Sequence, residues 1–188
     1  MSLYNRRLLF GLFATAALAG CGFAPAYAPG GAGVVLHNSI LAKEPSDKAA
    51  FDLVERLEER LGPATAPRFS LDYTITTNQV GVAITSYNAV TRYNLNGTVD
   101  WALADLATGA RLTGGRVDNF TSYSATGSTV ASLAAEEDAS LRLMRILADQ
   151  IVARLLATSG QWAGKTGDAV SGVADGASIG TAAQVAAK

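Results

Sequence analysis

Alternation of apolar and polar residues is clearest between Thr91 and Leu103. Thr91, Tyr93, Leu95, Val99, Trp101 and Leu103 share one side, with Gly97 among them, and Arg92, Asn94, Asn96, Thr98 and Asp100 share the other. A period of two puts successive side chains on opposite faces of an extended chain, so this segment predicts a strand with one buried face. Phe69, Leu71, Tyr73 and Ile75 alternate in the same way with Ser70, Asp72, Thr74 and Thr76. A further strand is predicted from about Arg111 to Tyr123, with a bulge at Gly114-Gly115, where the alternation slips. Asp105-Leu106-Ala107-Thr108-Gly109 reads as the hairpin loop before it, Gly109 supplying the positive φ such loops need. The short apolar run Val34-Val35-Leu36 predicts a first strand, ended by His37-Asn38-Ser39.

Two segments carry a helical period instead. Ser46 to Leu61 follows Pro45, with Ser46 as the expected cap and Asp47 in the first turn. Phe51, Val54, Leu57 and Leu61 form its apolar stripe, and Gly62-Pro63 stops it. Thr126-Gly127-Ser128 opens a longer helix to about Thr158, striped by Leu133, Leu141, Met144, Leu147, Ile151 and Leu155. Amphipathic helices need a sheet face to cover their stripes. The expected fold is α+β: a two-layer sandwich over residues 34–160, in the order β-α-β-β-β-α. Its sheet is four-stranded and mostly antiparallel, with both amphipathic helices on one face. The Gly/Ala/Ser-rich residues 161–188 are expected to be a disordered tail.

The amino terminus has a different logic. Arg6 and Arg7 precede an apolar run from Leu8 to Leu18, and Leu18-Ala19-Gly20-Cys21 closes it. The run is too short to cross a hydrocarbon core of about 30 Å as a helix. Positive flank, short apolar run and small residues before a cut describe an export signal over residues 1–20. A Cys directly after the small pair resembles a bacterial lipobox, which implies a diacylglycerol on the Cys21 thiol and a further acyl chain on its freed amine. Three chains, at roughly 0.8 kcal/mol per buried CH₂, would hold a domain on a bilayer. Residues 21–33, rich in Gly, Ala and Pro, then read as a lipidated tether. Gly22 stands where an Asp commonly retains enteric lipoproteins at the inner membrane, so transfer to the outer membrane is expected.

Composition narrows the chemistry. A formal charge of −1 over 188 residues, made more acidic once Arg6 and Arg7 are cut away, gives no basic surface for nucleic acid. One Cys excludes a disulfide framework and a Cys-clustered zinc site. No phosphate loop and no Gly-x-Ser-x-Gly elbow occurs. His37 has no nucleophile assigned to it and reads as a polar residue at a strand end. Glu136, Glu137 and Asp138 diverge around a helix axis and suit its dipole rather than a metal. No catalytic residue, metal or soluble cofactor is therefore expected, and the chain is read as a non-enzyme.

Interaction chemistry remains. Arg92, Arg111 and Arg116 lie on strands expected to be neighbours, and guanidinium pairs well with phosphate or carboxylate. They are the candidates for an anionic lipid head group. The other reading is a set of solvated arginines, with Arg116 pairing Asp100 diagonally across the hairpin. Asn94, Asn96 and Thr98, with Thr74, Thr76, Thr77 and Asn78 nearby, make an uncharged polar face that suits a polar partner wall and equally suits plain exposure to solvent.

The lipobox Leu18-Ala19-Gly20-Cys21, its continuation Cys21-Gly22-Phe23-Ala24-Pro25-Ala26-Tyr27, the segment Phe120-Thr121-Ser122-Tyr123 and the late Ile151-Val152-Ala153-Arg154-Leu155 together resemble the LPS-assembly lipoprotein family, LptE, in its alphaproteobacterial form. The resemblance covers about residues 21–158. It implies a plug and assembly partner inside the LptD outer-membrane β-barrel, with lipopolysaccharide as ligand. It also implies basic strand residues in lipopolysaccharide contact; Arg92, Arg111 and Arg116 are candidates for that contact by chemistry and placement. The alternatives are a lipid-anchored auxiliary subunit of a periplasmic lipid-transport system and a lipid-anchored hydrolase.

Overall fold

Three long alternating segments pair edge to edge and fix the architecture. The computed structural model describes residues 31–174, with side chains up to Trp162. The expected signal, Cys21 and the tether as far as Gly30 lie outside the described residues, as does the expected tail from residue 175. Strand β1 is Ile40–Ala42, β2 Phe69–Ile84, β3 Val90–Asp105 and β4 Arg111–Ser124. They form one four-stranded sheet in the order β1-β2-β3-β4, with β1 parallel to β2 and the other pairs antiparallel. Helix α1 is Ala32–Leu36, α2 Lys48–Leu61 and α3 Thr129–Ala174. The α+β sandwich and its strand order are as the periodicity predicts.

The register explains the burial. Tyr73 pairs with Trp101, Leu71 with Leu103 and Val99 with Val117, so one parity of residues faces the same way across the sheet. That face carries Phe69, Leu71, Leu95, Val99, Trp101, Leu103 and Val117, all buried. Against it lie Leu53, Leu57 and Leu61 of α2 and Leu143, Met144, Leu147, Ile151 and Leu155 of α3, in one apolar cluster. Gly97 makes this close approach possible: a Cβ there would come within 2.8 Å of the Leu143 side chain. The opposite sheet face has no helix over it among the described residues.

Several local expectations are corrected. Val34-Val35-Leu36 is helix, not strand, and the first strand lies beyond His37-Asn38-Ser39 at Ile40–Ala42. A three-residue apolar run has no period of its own, and here Leu36 is drawn wholly into the core while Val34 stays out. Asp47, not Ser46, caps α2, its carboxylate accepting the Ala50 N–H at 2.9 Å. The buried stripe of α2 is Ala50, Leu53, Leu57 and Leu61, and Phe51 is exposed. In the third long strand, Gly114 and Gly115 pair regularly with Ala102 and Trp101; the register shifts between Leu103 and Ala104, opposite Leu112. Gly114 leaves room for the Arg111 guanidinium, which a Cβ would meet at 2.5 Å. The long helix runs past Thr158 to Ala174. Trp162 helps hold that continuation, its ring edge-on to Phe69 at 5.3 Å. Finally, β2 continues beyond Thr76 to Ile84, so β2 and β3 form a long hairpin.

The turn between β3 and β4 behaves as predicted. Gly109 has φ +70 and donates its N–H to the Asp105 carbonyl at 2.8 Å. Asp105 accepts from the N–H groups of Ala107 and Thr108 through one carboxylate oxygen, at 3.0 and 2.9 Å. These bonds hold the carboxyl below the usual aspartate range, the Thr108 N–H contributing most.

Candidate interaction face

The uncovered face of the sheet carries the even-numbered residues of β3 and their partners. Thr74, Asp100 and Arg116 form one cross-strand row, and Thr76, Thr98 and Asp118 the next. Asn78, Asn96 and Phe120 follow, then Val80, Asn94 and Ser122. Ser122 Oγ donates to Asn94 Oδ1 at 2.6 Å, and Asn96 Nδ2 donates to the Asn78 carbonyl at 3.4 Å. The surface is therefore hydroxyl and amide in the middle, with Phe120 and Val80 as exposed apolar points.

Arg116 is engaged. Its Nε and Nη2 each donate to a carboxylate oxygen of Asp100, both at 2.8 Å. The pairing holds Asp100 below the usual carboxylate range and raises the Arg116 guanidinium. Arg111 lies along the same face over Gly114. With Lys43 it rims a depression of about 310 Å³ whose lining includes Asp72, Thr74, Asp100 and Ala102. Arg92 stands apart: it pairs with Ser124 at the far end of the sheet, while Arg116 pairs with Asp100. At ~3.3 Å per residue the two positions are separated by roughly 26 Å along β3. The structure thus brings Arg111 near Arg116 and leaves Arg92 remote. Among the described residues the Arg92 and Arg111 side chains make no ion pair.

Lys43 was not legible as part of this face. It follows β1, whose position the apolar run misplaces, and its N–H bonds the Leu71 carbonyl at 2.9 Å. The other residues weighed for chemistry separate. His37 ends α1, exposed. Glu136 turns to Tyr123, and Asp138 pairs with Arg142 at 3.0 Å along the helix, so the acidic trio does not converge. Burial raises the Tyr123 hydroxyl, which also accepts from Gln79. No helix among the described residues is long and apolar enough to cross a membrane.

The fold is shared with small bacterial lipoproteins of known structure. A lipoprotein from Caulobacter crescentus CB15 superimposes with a TM-score of 0.57 at 22% identity, over 67% of this chain and 93% of that one. Rare lipoprotein B from Shewanella oneidensis does so with a TM-score of 0.50 at 16% identity, over 65% of this chain and 96% of that one. No curated protein matches at the sequence level. The LptE family, described as lipopolysaccharide-assembly, matches residues 39–155, more than half of the chain, and the chain belongs to that family. It is accordingly a lipoprotein of lipopolysaccharide assembly.

Proposed function

We propose that the chain is anchored through acylated Cys21 to the periplasmic leaflet of the outer membrane. There it plugs the lumen of an LptD-type β-barrel, helps that barrel assemble, and contacts lipopolysaccharide on its way to the cell surface. It acts by binding rather than catalysis. The observation that carries this reading, beside family membership, is the uncovered sheet face with its rows of Thr and Asn. A barrel interior is polar and water-filled, so a plug must meet it with hydrogen-bonding groups rather than an apolar patch. Of the three candidate arginines, Arg116 is committed to Asp100. Arg111 with Lys43 across the depression, and Arg92 at the far end, retain guanidinium and ammonium donors for an anionic head group. The test is depletion in the native bacterium. Mature barrel and surface lipopolysaccharide should both fall; unchanged levels of both refute the reading.

A further inference from the structure

Strand β2 is covered unevenly. Its outer edge is occupied by β1 only from Phe69 to Leu71. The Phe69 N–H donates to Ser39 and the Leu71 carbonyl accepts from Lys43, so odd-numbered residues turn their peptide groups to that edge. Beyond Leu71 the same alternation presents the peptide groups of Tyr73, Ile75, Thr77 and Gln79 to an edge where β1 no longer runs. The Tyr73 hydroxyl donates to the Lys43 carbonyl at 3.2 Å, where β1 leaves. At that point opens a cleft of about 190 Å³, with Tyr73, Thr74 and Ile75 on one wall and the segment around Ser46 and Asp47 on the other. From Thr76 to Val82 every residue of β2 is exposed, on both faces.

Free edges invite pairing, and proteins ordinarily blunt them with charge, proline or a cap. The opposite edge of this sheet is blunted: Arg154 donates to the Arg116 carbonyl, Asn119 Oδ1 accepts the Phe120 N–H, and Arg116 and Asp118 add charge. At the β2 edge Lys43, Glu44 and Asp47 bring charge to the cleft beside Tyr73–Ile75, but the strand carries none of its own beyond Asp72. From Tyr73 to Thr91 the sequence has no charged residue and no proline, and it is rich in Thr, Val and Ile. A neutral, β-forming, uncapped edge that continues the line of an existing strand is a docking edge.

We infer that the β2 edge from Tyr73 to Gln79 accepts an extended, uncharged segment of the membrane partner as an added strand. This rests on the barrel reading above. So short a ladder is small against the roughly 800 Å² per partner that a stable free dimer buries. A partner held at the same membrane by the lipid anchor meets it at high effective concentration, which favours that occupant over a second copy.

Hydrogen exchange on the full-length chain, alone and in its membrane-purified complex, reads the edge directly. The amides of Thr77 and Gln79 should slow about tenfold or more in the complex, while that of Asn78, already turned toward β3, should change little. Unchanged exchange at Thr77 and Gln79 in the complex overturns the proposal. Thr77→Pro deletes an edge-facing donor and leaves the ladder to β3 intact. It should reduce recovered barrel about fivefold at equal amounts of folded chain. Equal recovery overturns the edge proposal alone; no barrel on the unsubstituted chain overturns the plug reading with it. A dimer of the isolated chain that Thr77→Pro dissolves makes the occupant a second copy, and overturns the proposal in that respect.

Discussion

Asp105 shows how much one side chain fixes. A single carboxylate oxygen collects two backbone N–H groups and the Thr108 hydroxyl, and so sets the turn that brings β4 back along β3. Its carboxyl lies below the ordinary value of 3.8. A group depressed on folding contributes stability that is present above the unfolded value and disappears as pH falls through the folded one. Asp105→Ala should therefore lower stability at neutral pH by about 1–3 kcal/mol. The gap from the parent should close as urea titrations are repeated below about pH 4. A gap that stays constant into strong acid would show that the charge is irrelevant. Asp100 has the same sign, but it and Arg116 are well exposed, so solvent screening leaves its share small.

Among elements, the two longer helices are locked by charge as well as by leucines. Arg56 of α2 donates through Nε and Nη2 to both oxygens of Asp149 on α3, at 3.1 and 3.0 Å. Arg60 approaches the same carboxylate at 3.5 Å. The pair is partly exposed, so a double-mutant cycle of Arg56→Ala and Asp149→Ala should give a coupling of about 0.5–1 kcal/mol that shrinks in high salt. Zero coupling at low salt would leave the leucine contacts as the whole of the interface. What could be foreseen here followed from length. Thr91–Leu103 is long enough for its alternation to fix both strand and face. Val34-Val35-Leu36 is too short to show any period, and tertiary burial of Leu36 decided it. On α2, Phe51 is apolar and fits the pattern, yet the helix turns Ala50 and Leu53 inward instead. The distal half of β2 escaped notice because its residues are neutral on both faces and lack a contrast to read. The Asp100–Arg116 contact was foreseeable from the hairpin, although the register sets the two directly opposite rather than diagonal; the place of Lys43 beside Arg111 was not, since it depends on where β1 sits.

At the scale of the molecule, position relative to the membrane matters most. Ten residues from Cys21 to Gly31 reach at most about 35 Å when fully extended. Acylation of Cys21 would thus confine the sandwich to a thin layer beside the bilayer. Cys21→Ala should abolish palmitate labelling, leave the signal unprocessed, and weaken barrel association through lost local concentration. Label that persists in this variant would place the anchor elsewhere.

Both tryptophans of the chain, Trp101 and Trp162, are sealed in the interior. Their native emission therefore comes from dry surroundings on the helix side of the sheet, away from the Thr and Asn rows. Partners arriving on those rows meet the face opposite the buried Trp101 ring, so a red shift signals opening of the core. The protein carries its own optical gauge of integrity, separate from the surface on which it is proposed to work.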